Sequence, residues 1–407
     1  MTSTDNKEII VVKFGGSVLE DERSIEQAAQ LVRDTTEKGL GVVVVVSAMK
    51  GVTDQLIALS KKVDPGMEAS RMDELLSSGE KTSARLMAGA LAGHGIRSVV
   101  VDPESPYWPV VTDARHLDAN PIMELSRLKA QEAMMPLLRE GKVPVVCGFL
   151  GKTVDGKTTT LGRGGSDTTA VILGNCLDAK EVVLIKDVEG VYSSDPDKVR
   201  NPQFIETLNG EEAEMLAAGG AKFLHLKALR YQTNGLRIRV TSLEKLNAGT
   251  VIKGDLAAIS LEVFPQGVSM ITIVGLDAKK LESVSQLTRA VRDDGGSLLA
   301  LSLETTSAIF YVAGGKNVLD EVHHVLVSEN IGKAVSSFDG LSMITVKGTS
   351  LETETGVVQR ITQPLARSNI NLYGIVTIRS SIRVFVSSDQ AEKALELIRE
   401  AMMVNKS

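Results

Sequence analysis

From residue 8 to about residue 245, short runs of β-branched residues alternate with stretches whose apolar positions recur every three or four residues. The strand candidates are EIIVVKF (8–14), GVVVVVSA (41–48), RSVVVD (97–102), VPVVCGF (143–149), EVVLIKD (181–187) and RIRVTS (237–242). Several are apolar at successive positions, which predicts burial of both faces between helix layers in a mostly parallel sheet. Between them the spacing predicts a helix over 23–38, with Ile25, Ala28, Ala29 and Val32 on one face. A second helix is predicted over 67–92, carrying Met72, Leu75, Leu76, Leu86 and Met87. This alternation predicts an α/β fold, a mostly parallel sheet sandwiched by helices, with ligands at the carboxyl ends of its strands.

The texture changes after NAGTVIKGD (247–255), where an internal repeat begins. SMITIVG (269–275) returns as SMITVKG (342–348), and each copy leads into a helical pattern and further strands. Each copy reads as a small α+β module of roughly 60 to 75 residues, near the lower size at which a domain is stable alone. The expected division is a catalytic domain over 1–250 and two modules over 262–335 and 338–407. Modules so small are expected to pack on one another or on a second chain; a duplicated structural appendage is the plainer reading.

Composition narrows the chemistry. The chain has 407 residues, a formal net charge of −6 and only 3% aromatic residues, so no basic, aromatic-rich nucleic-acid surface is indicated. Anionic ligands must be met by local cations. The two cysteines, Cys147 and Cys176, form no CxxC pair, which fits free thiols in a reducing compartment. The start lacks the layout of a signal peptide and no apolar run approaches a membrane span, so a cytoplasmic protein without membrane partners is expected.

Six stretches carry candidate chemistry. In VVKFGGSV, Lys13 closes a buried strand and Gly15 and Gly16 turn the chain, an arrangement that can cradle a phosphate or be only a tight turn. In VVVSAMKGVTD, Ser47 at a strand end and Thr53 in the following loop can bind a ligand or cap a helix. In LLSSGEKTSARLM, Gly79 is expected to interrupt a helix, at about 1 kcal/mol relative to alanine, with Glu80 at the break. In LGRGGSDTTA, glycines flank Arg163, whose planar fork suits a carboxylate or phosphate. There Ser166 and Asp167 stand at a helix start, where Asp167 either caps the helix or holds a lysine. In IKDVEGVYSSDPDK, Lys186, Asp187 and Tyr192 can frame a nucleotide or form a surface hairpin. In GGAKFLHLKAL, Lys222 follows a glycine pair. There is no HExxH, GxSxG or P-loop motif, and the five histidines form no evident ligand cluster, so no protein-held metal is expected. Glycine turns with strand-end cations point to phosphoryl transfer, with Mg²⁺ carried on the nucleotide.

Taken together these motifs resemble the amino-acid kinase family, and within it the aspartate kinases; the trailing repeat resembles paired, ferredoxin-like ACT modules that bind amino-acid effectors. The resemblance spans nearly the whole chain and is most specific in TTLGRGGSDTTA. It implies ATP-dependent phosphorylation of L-aspartate on its β-carboxylate, the first step toward lysine, threonine and methionine. It implies Lys13 and Asp167 as catalytic residues, and Lys13, Phe14, Gly15, Gly16, Ser47, Lys186, Asp187, Tyr192 and Lys222 around ATP. Aspartate would meet Thr53, Glu80, Arg163, Gly164, Gly165 and Ser166, with Glu80 at its ammonium and Arg163 at a carboxylate. Lysine or threonine would bind near Asp277, Ser283, Asn369 and Asn371, and the modules would join subunits into a dimer or tetramer. Four stretches depart from the family pattern. KFGGSV is one residue shorter than the usual KFGGTSV, resembling acetylglutamate and isopentenyl phosphate kinases. Lys186 replaces a common threonine, DPDK stands for DPR, and HLK stands for HPR around His225. A kinase for glutamate or acetylglutamate, and an amino-acid sensor with a relic kinase half, are the competing readings.

Overall fold

The computed structural model describes residues 7–403 except 222, 234, 246–247, 255–259, 277–280, 349–350, 352–354 and 379. The chain forms two compact units, Met1–Leu256 and Ala257–Ser407.

The first unit opens with β1 (Ile9–Phe14), α1 (Glu22–Glu37), β2 (Gly41–Val46), α2 (Val52–Val63) and α3 (Ala69–Gly93). It continues with β3 (Ser98–Val101), β4 (Val111–Thr112), α4 (Met123–Arg139), β5 (Val143–Cys147), β6 (Leu150–Thr153) and β7 (Thr158–Thr160). There follow α5 (Gly165–Cys176), β8 (Glu181–Lys186), β9 (Val191–Tyr192), β10 (Phe204–Ile205) and β11 (Thr207–Asn209). It closes with α6 (Gly210–Ala218), α7 (Leu226–Leu229), β12 (Arg237–Ser242) and β13 (Thr250–Lys253).

Eight strands form one sheet in the order β11-β13-β12-β8-β1-β2-β5-β3, parallel throughout except for the β12–β13 pair. Every residue of β1, β2 and β5 is buried. That is the reason their sequences are continuous β-branched runs rather than alternating ones. Helices α1 and α3 pack together on the sheet, and α4 packs with α5. Nearly all of α5 is buried, and Gly174 permits that depth, since a Cβ there would lie 2.4 Å from Val182 Cγ2. The parallel order brings the carboxyl ends of β1, β2 and β8, and hence Lys13, Ser47 and Lys186, to one edge of the sheet.

Two expectations are corrected. Helix α3 runs unbroken through Gly79, so the glycine is not a break. A Cβ there would stand 2.8 Å from the Ala48 Cβ, and the missing side chain lets α3 approach the end of β2 closely. Leu86, read as part of the apolar face of α3, is exposed; the fully buried polar residue Asp73 occupies that face instead.

The second unit comprises β14 (Ser260–Val263), β15 (Val268–Val274), α8 (Leu281–Asp293), β16 (Gly296–Leu303), β17 (Ser307–Gly314) and α9 (Val318–Ser328). Then come β18 (Ala334–Lys347), α10 (Val357–Arg367), β19 (Gly374–Ile378), β20 (Ser381–Ser387) and α11 (Ala391–Met403). Six strands run β16-β17-β15-β18-β20-β19, and β14 also pairs with β18. The 14-residue β18 serves both copies of the repeat: its first half pairs with β15, its second with β14 and β20. Alternation along β15 sends Ile271 and Ile273 into the helix-covered core and Val268 and Met270 into another on the opposite face. There Tyr311 stacks on Phe385 with ring centroids 3.9 Å apart, and its hydroxyl donates to the Tyr373 carbonyl at 2.7 Å.

Helix α3 provides a paired test. Gly79→Ala should lower the stability of the full chain by about 1–2 kcal/mol, because overpacking exceeds the helix-propensity gain. Gly89→Ala on the same helix, where a Cβ meets nothing within 4 Å, should raise it by about 0.5–1 kcal/mol. Thermal unfolding of both variants checks the opposite signs.

Candidate active site

At the carboxyl edge of the sheet in the first unit lies a cavity of about 660 Å³. It is lined by residues from four of the six candidate stretches: Lys13, Gly16, Ser47, Thr53, Glu80 and the run Arg163–Asp167.

One end carries a buried cluster of three charges. Asp167 sits in the first turn of α5, where the left-handed Gly164 is the N-cap and no side chain caps the helix. Asp167 is therefore free to act elsewhere. Its Oδ1 lies 2.7 Å from Lys13 Nζ and its Oδ2 2.6 Å from Lys186 Nζ. Burial works to raise the Asp167 pKa, but the two ammonium groups outweigh it and hold the carboxyl well below the usual range. Burial depresses the Lys13 pKa despite its pairing with Asp167, and the charge of Lys186 adds to that depression. One carboxylate between two lysines leaves a surplus positive charge in a water-poor site. Above it Gly16 turns so closely under Ala48 that a Cβ would stand 2.7 Å from that residue's carbonyl oxygen. The N–H groups of Gly16 and Ser17 have no hydrogen-bond acceptor among the described residues. Such donors suit phosphate oxygens.

The other end is built for a small zwitterion or acid. Glu80 is 3% exposed; its Oε1 accepts from the Ala48 N–H at 3.1 Å, while its buried Oε2 has no hydrogen-bond partner among the described residues. Burial pushes its carboxyl up to about 7, against the pull of the Ala48 bond. Arg163 lines the cavity, exposed and with no ion pair among the described residues. Its turn demands glycine on both sides. Gly162 (φ 73°) and Gly164 (φ 71°) are left-handed, and a Cβ on Gly164 would fall 2.2 Å from that of His225. Ser47 and Thr53 also line the cavity, and neither caps α2, whose N-cap is Gly51.

Other expected residues lie apart from the cavity wall. The Phe14 ring is wholly buried in the sheet core, so its side chain packs rather than meeting a ligand; its carbonyl accepts from the Ser47 N–H. Gly15 donates its N–H to the Ile185 carbonyl. Asp187 is exposed beyond β8, and the Tyr192 hydroxyl donates to Glu189 Oε2 at 3.2 Å while its ring meets Phe204 edge-on. His225 accepts from the Lys227 N–H and wedges against Gly164. In the second unit Ser283 is buried in α8, and Asn369 takes a left-handed turn (φ 55°) two residues before Asn371. Lys222 and Asp277 lie outside the described residues.

Several site residues had no sequence signal strong enough to single them out. Asp73 stands seven residues before Glu80 on the same side of α3 and accepts from Thr160 Oγ1 at 2.6 Å. Lys227 sends its ammonium to Asp118 Oδ1 at 2.7 Å and to the carbonyls of Ala119 and Leu161, 3.0 and 2.7 Å away. It thereby pins the chain just before the arginine turn. A charged residue on an otherwise apolar helical face was the available clue for both.

The described residues contain no group of three or more His, Cys, Asp or Glu side chains that could hold a metal ion. No helix among them is long and apolar enough to cross a membrane.

Residues 8–242 match the amino acid kinase family, and residues 336–400 match an ACT domain. An aspartokinase of Geobacillus stearothermophilus is 32% identical over 409 residues, covering 97% of this chain and 97% of that one. The chain belongs to the amino acid kinase family, among its aspartokinases. The aspartate kinase of Synechocystis has the same fold, with a TM-score of 0.78 at 24% identity over 98% of this chain and 70% of that one. E. coli aspartokinase III, solved with aspartate and ADP, aligns with a TM-score of 0.56 at 22% identity over 97% of this chain and 99% of that one. The same enzyme has also been solved with lysine and aspartate.

The raised pKa of Glu80 makes its burial costly at high pH. The folded state binds this proton more tightly than the unfolded chain, so below the ordinary carboxyl value of 4.5 both states carry it and stability does not change with pH. Folding then loses up to about 3 kcal/mol as pH rises toward 7 and above. Glu80→Gln should therefore raise the ligand-free melting temperature at pH 8, with the gap closing by pH 5. Calorimetry across that range checks it.

Proposed function

We propose that the chain transfers the γ-phosphoryl group of ATP to the β-carboxylate of L-aspartate, forming 4-phospho-L-aspartate and ADP. The observation that carries this reading is the shared cavity: Lys13 and Asp167, the latter also paired with Lys186 behind it, line the same space as Glu80 and Arg163. Glu80 takes the substrate ammonium and Arg163 its α-carboxylate, leaving the β-carboxylate directed toward the phosphates. Ser47, Thr53, Gly164, Gly165 and Ser166 complete that pocket. A β-carboxylate oxygen attacks the γ-phosphorus, the bond to the β,γ-bridging oxygen breaks, and ADP departs with the electron pair. The attacking group is already ionised, so no general base is needed.

Phosphoryl transfer of this kind asks for positioning and neutralisation of charge. Lys13 and Lys186 stabilise the charge spread over the transferring group, and Asp167 holds both ammonium groups in place. The N–H groups of Gly16 and Ser17 supply backbone donors at the turn that Gly15 opens, while Asp187, Tyr192 and Lys222 are assigned to the rest of the nucleotide. Both Asp167 oxygens are engaged by lysines, so the site fits Mg²⁺ that arrives on the nucleotide's own oxygens. Bound with the nucleotide, such an ion would supply further neutralisation of phosphate charge.

The enzyme is assigned to the cytoplasm and to the first step toward lysine, threonine and methionine. The repeat is assigned to feedback control by lysine or threonine near Asp277, Ser283, Asn369 and Asn371, and to joining subunits into a dimer or tetramer. Such control needs an effector with different affinity for active and inactive states.

Trapping with hydroxylamine should give aspartyl hydroxamate from aspartate and Mg-ATP; product from another acid alone would overturn the substrate assignment. Arg163→Lys loses the planar fork and should raise the aspartate KM at least about tenfold with little change in the ATP KM. Steady-state kinetics in both substrates read the split. Lysine or threonine should lower the rate of the intact enzyme at subsaturating aspartate, as an initial-rate titration of each would reveal.

A further inference from the structure

Six non-glycine residues among those described have positive φ: Leu117 (68°), Phe149 (69°), Asp178, Asn201, Asn330 and Asn369. Four are Asp or Asn, which tolerate the left-handed region through local hydrogen bonds. The two bulky ones, Leu117 and Phe149, both line the active-site cavity. A bulky side chain in this conformation costs on the order of 1 kcal/mol or more, and a glycine would hold the same turn without strain.

Packing accounts for Phe149, whose ring sits against Gly165 and whose N–H and C=O are bonded to Thr169 and Leu161. It does not account for Leu117, which is 41% exposed. The backbone at Leu117 is nonetheless held firmly. Its N–H donates to both oxygens of the fully buried Asp73 at 3.2 Å, and His116 Nδ1 lies 2.7 Å from Asp73 Oδ2. On the far side the Ala119 N–H donates to the Thr160 carbonyl at 2.9 Å. The Leu117 carbonyl abuts Gly162, one residue before Arg163.

We propose that Leu117 is a specificity-determining residue, an apolar wall beside Arg163 that limits the length of the dicarboxylic amino acid the pocket accepts. The helix that offers Glu80 also anchors the wall through Asp73, so the ammonium site and the wall are fixed at one spacing. Leu76 and Ile57 line the same cavity and continue the apolar surface. Glutamate differs from aspartate by one methylene, which a fitted apolar surface discriminates by roughly 10- to 200-fold. The inference rests on aspartate being the substrate.

Leu117→Gly removes the wall and the strain together, and Leu117→Ala removes most of the wall but keeps the strain. For Leu117→Gly the ratio of kcat/KM for aspartate over glutamate should fall at least tenfold, with the ATP KM unchanged and the ligand-free melting temperature equal or higher. Leu117→Ala should show a smaller fall in the ratio without a gain in melting temperature. An unchanged ratio in either folded variant overturns the wall. A wild-type chain that phosphorylates glutamate but not aspartate overturns the functional reading itself, and the wall with it.

Discussion

One carboxylate holds the catalytic end of this molecule together. Asp167 is buried between Lys13 and Lys186, so it ties the penultimate residue of β1 and the last residue of β8 to the first turn of α5. Removing the carboxylate would leave two like charges facing each other in a site with little water, a loss of several kcal/mol by analogy with broken buried ion pairs. The cluster is not neutral even when intact. Its surplus charge, together with the positive end of the α5 dipole, is a standing demand for an anion. A phosphate chain would meet that demand, which would link the site's stability to its ligand.

The acceptor end has the opposite deficit. Glu80 is buried with one oxygen unpartnered, and Arg163 is extended on a turn that only glycines can make. These groups are complementary to a molecule that brings both an ammonium and a carboxylate, and neither can neutralise the other without it. The close approach at Gly79 brings α3 against the end of β2, where the Ala48 N–H steadies Glu80. Glycine thus serves two separate ends here, left-handed turns at 162 and 164 and a bare helical surface at 79.

The six principal strands of the sheet were legible to within one or two residues: β1, β2 and β5, buried on both faces, as nearly unbroken apolar runs, and the others as short runs rich in β-branched residues. The short strands β4, β6 and β7 were not, since two to four residues carry no usable period. Gly79 was misread because helix propensity speaks only to the chain's own backbone and not to the neighbour it touches. At the site, motifs local in sequence were legible: Lys13, Glu80, Arg163 and Asp167 all line the cavity. Phe14 was carried along with its motif, although β1 is buried on both faces and its ring with it. Asp73 and Lys227 escaped because their partners, Thr160 and Asp118, are 87 and 109 residues away in the chain.

The repeat shows a further limit of reading along the chain. Two similar stretches suggest two beads in series, yet β18 runs through both, and β14, which precedes the first copy, pairs with the second copy's half of that strand. The first copy is therefore inserted within the second. The Tyr311–Phe385 stack joins strands of the two copies across a common core. Close-packed interiors shift between discrete arrangements rather than deforming gradually. A change of packing in either copy would thus be felt along β18 by the other, so the two copies form one mechanical unit rather than two independent ones.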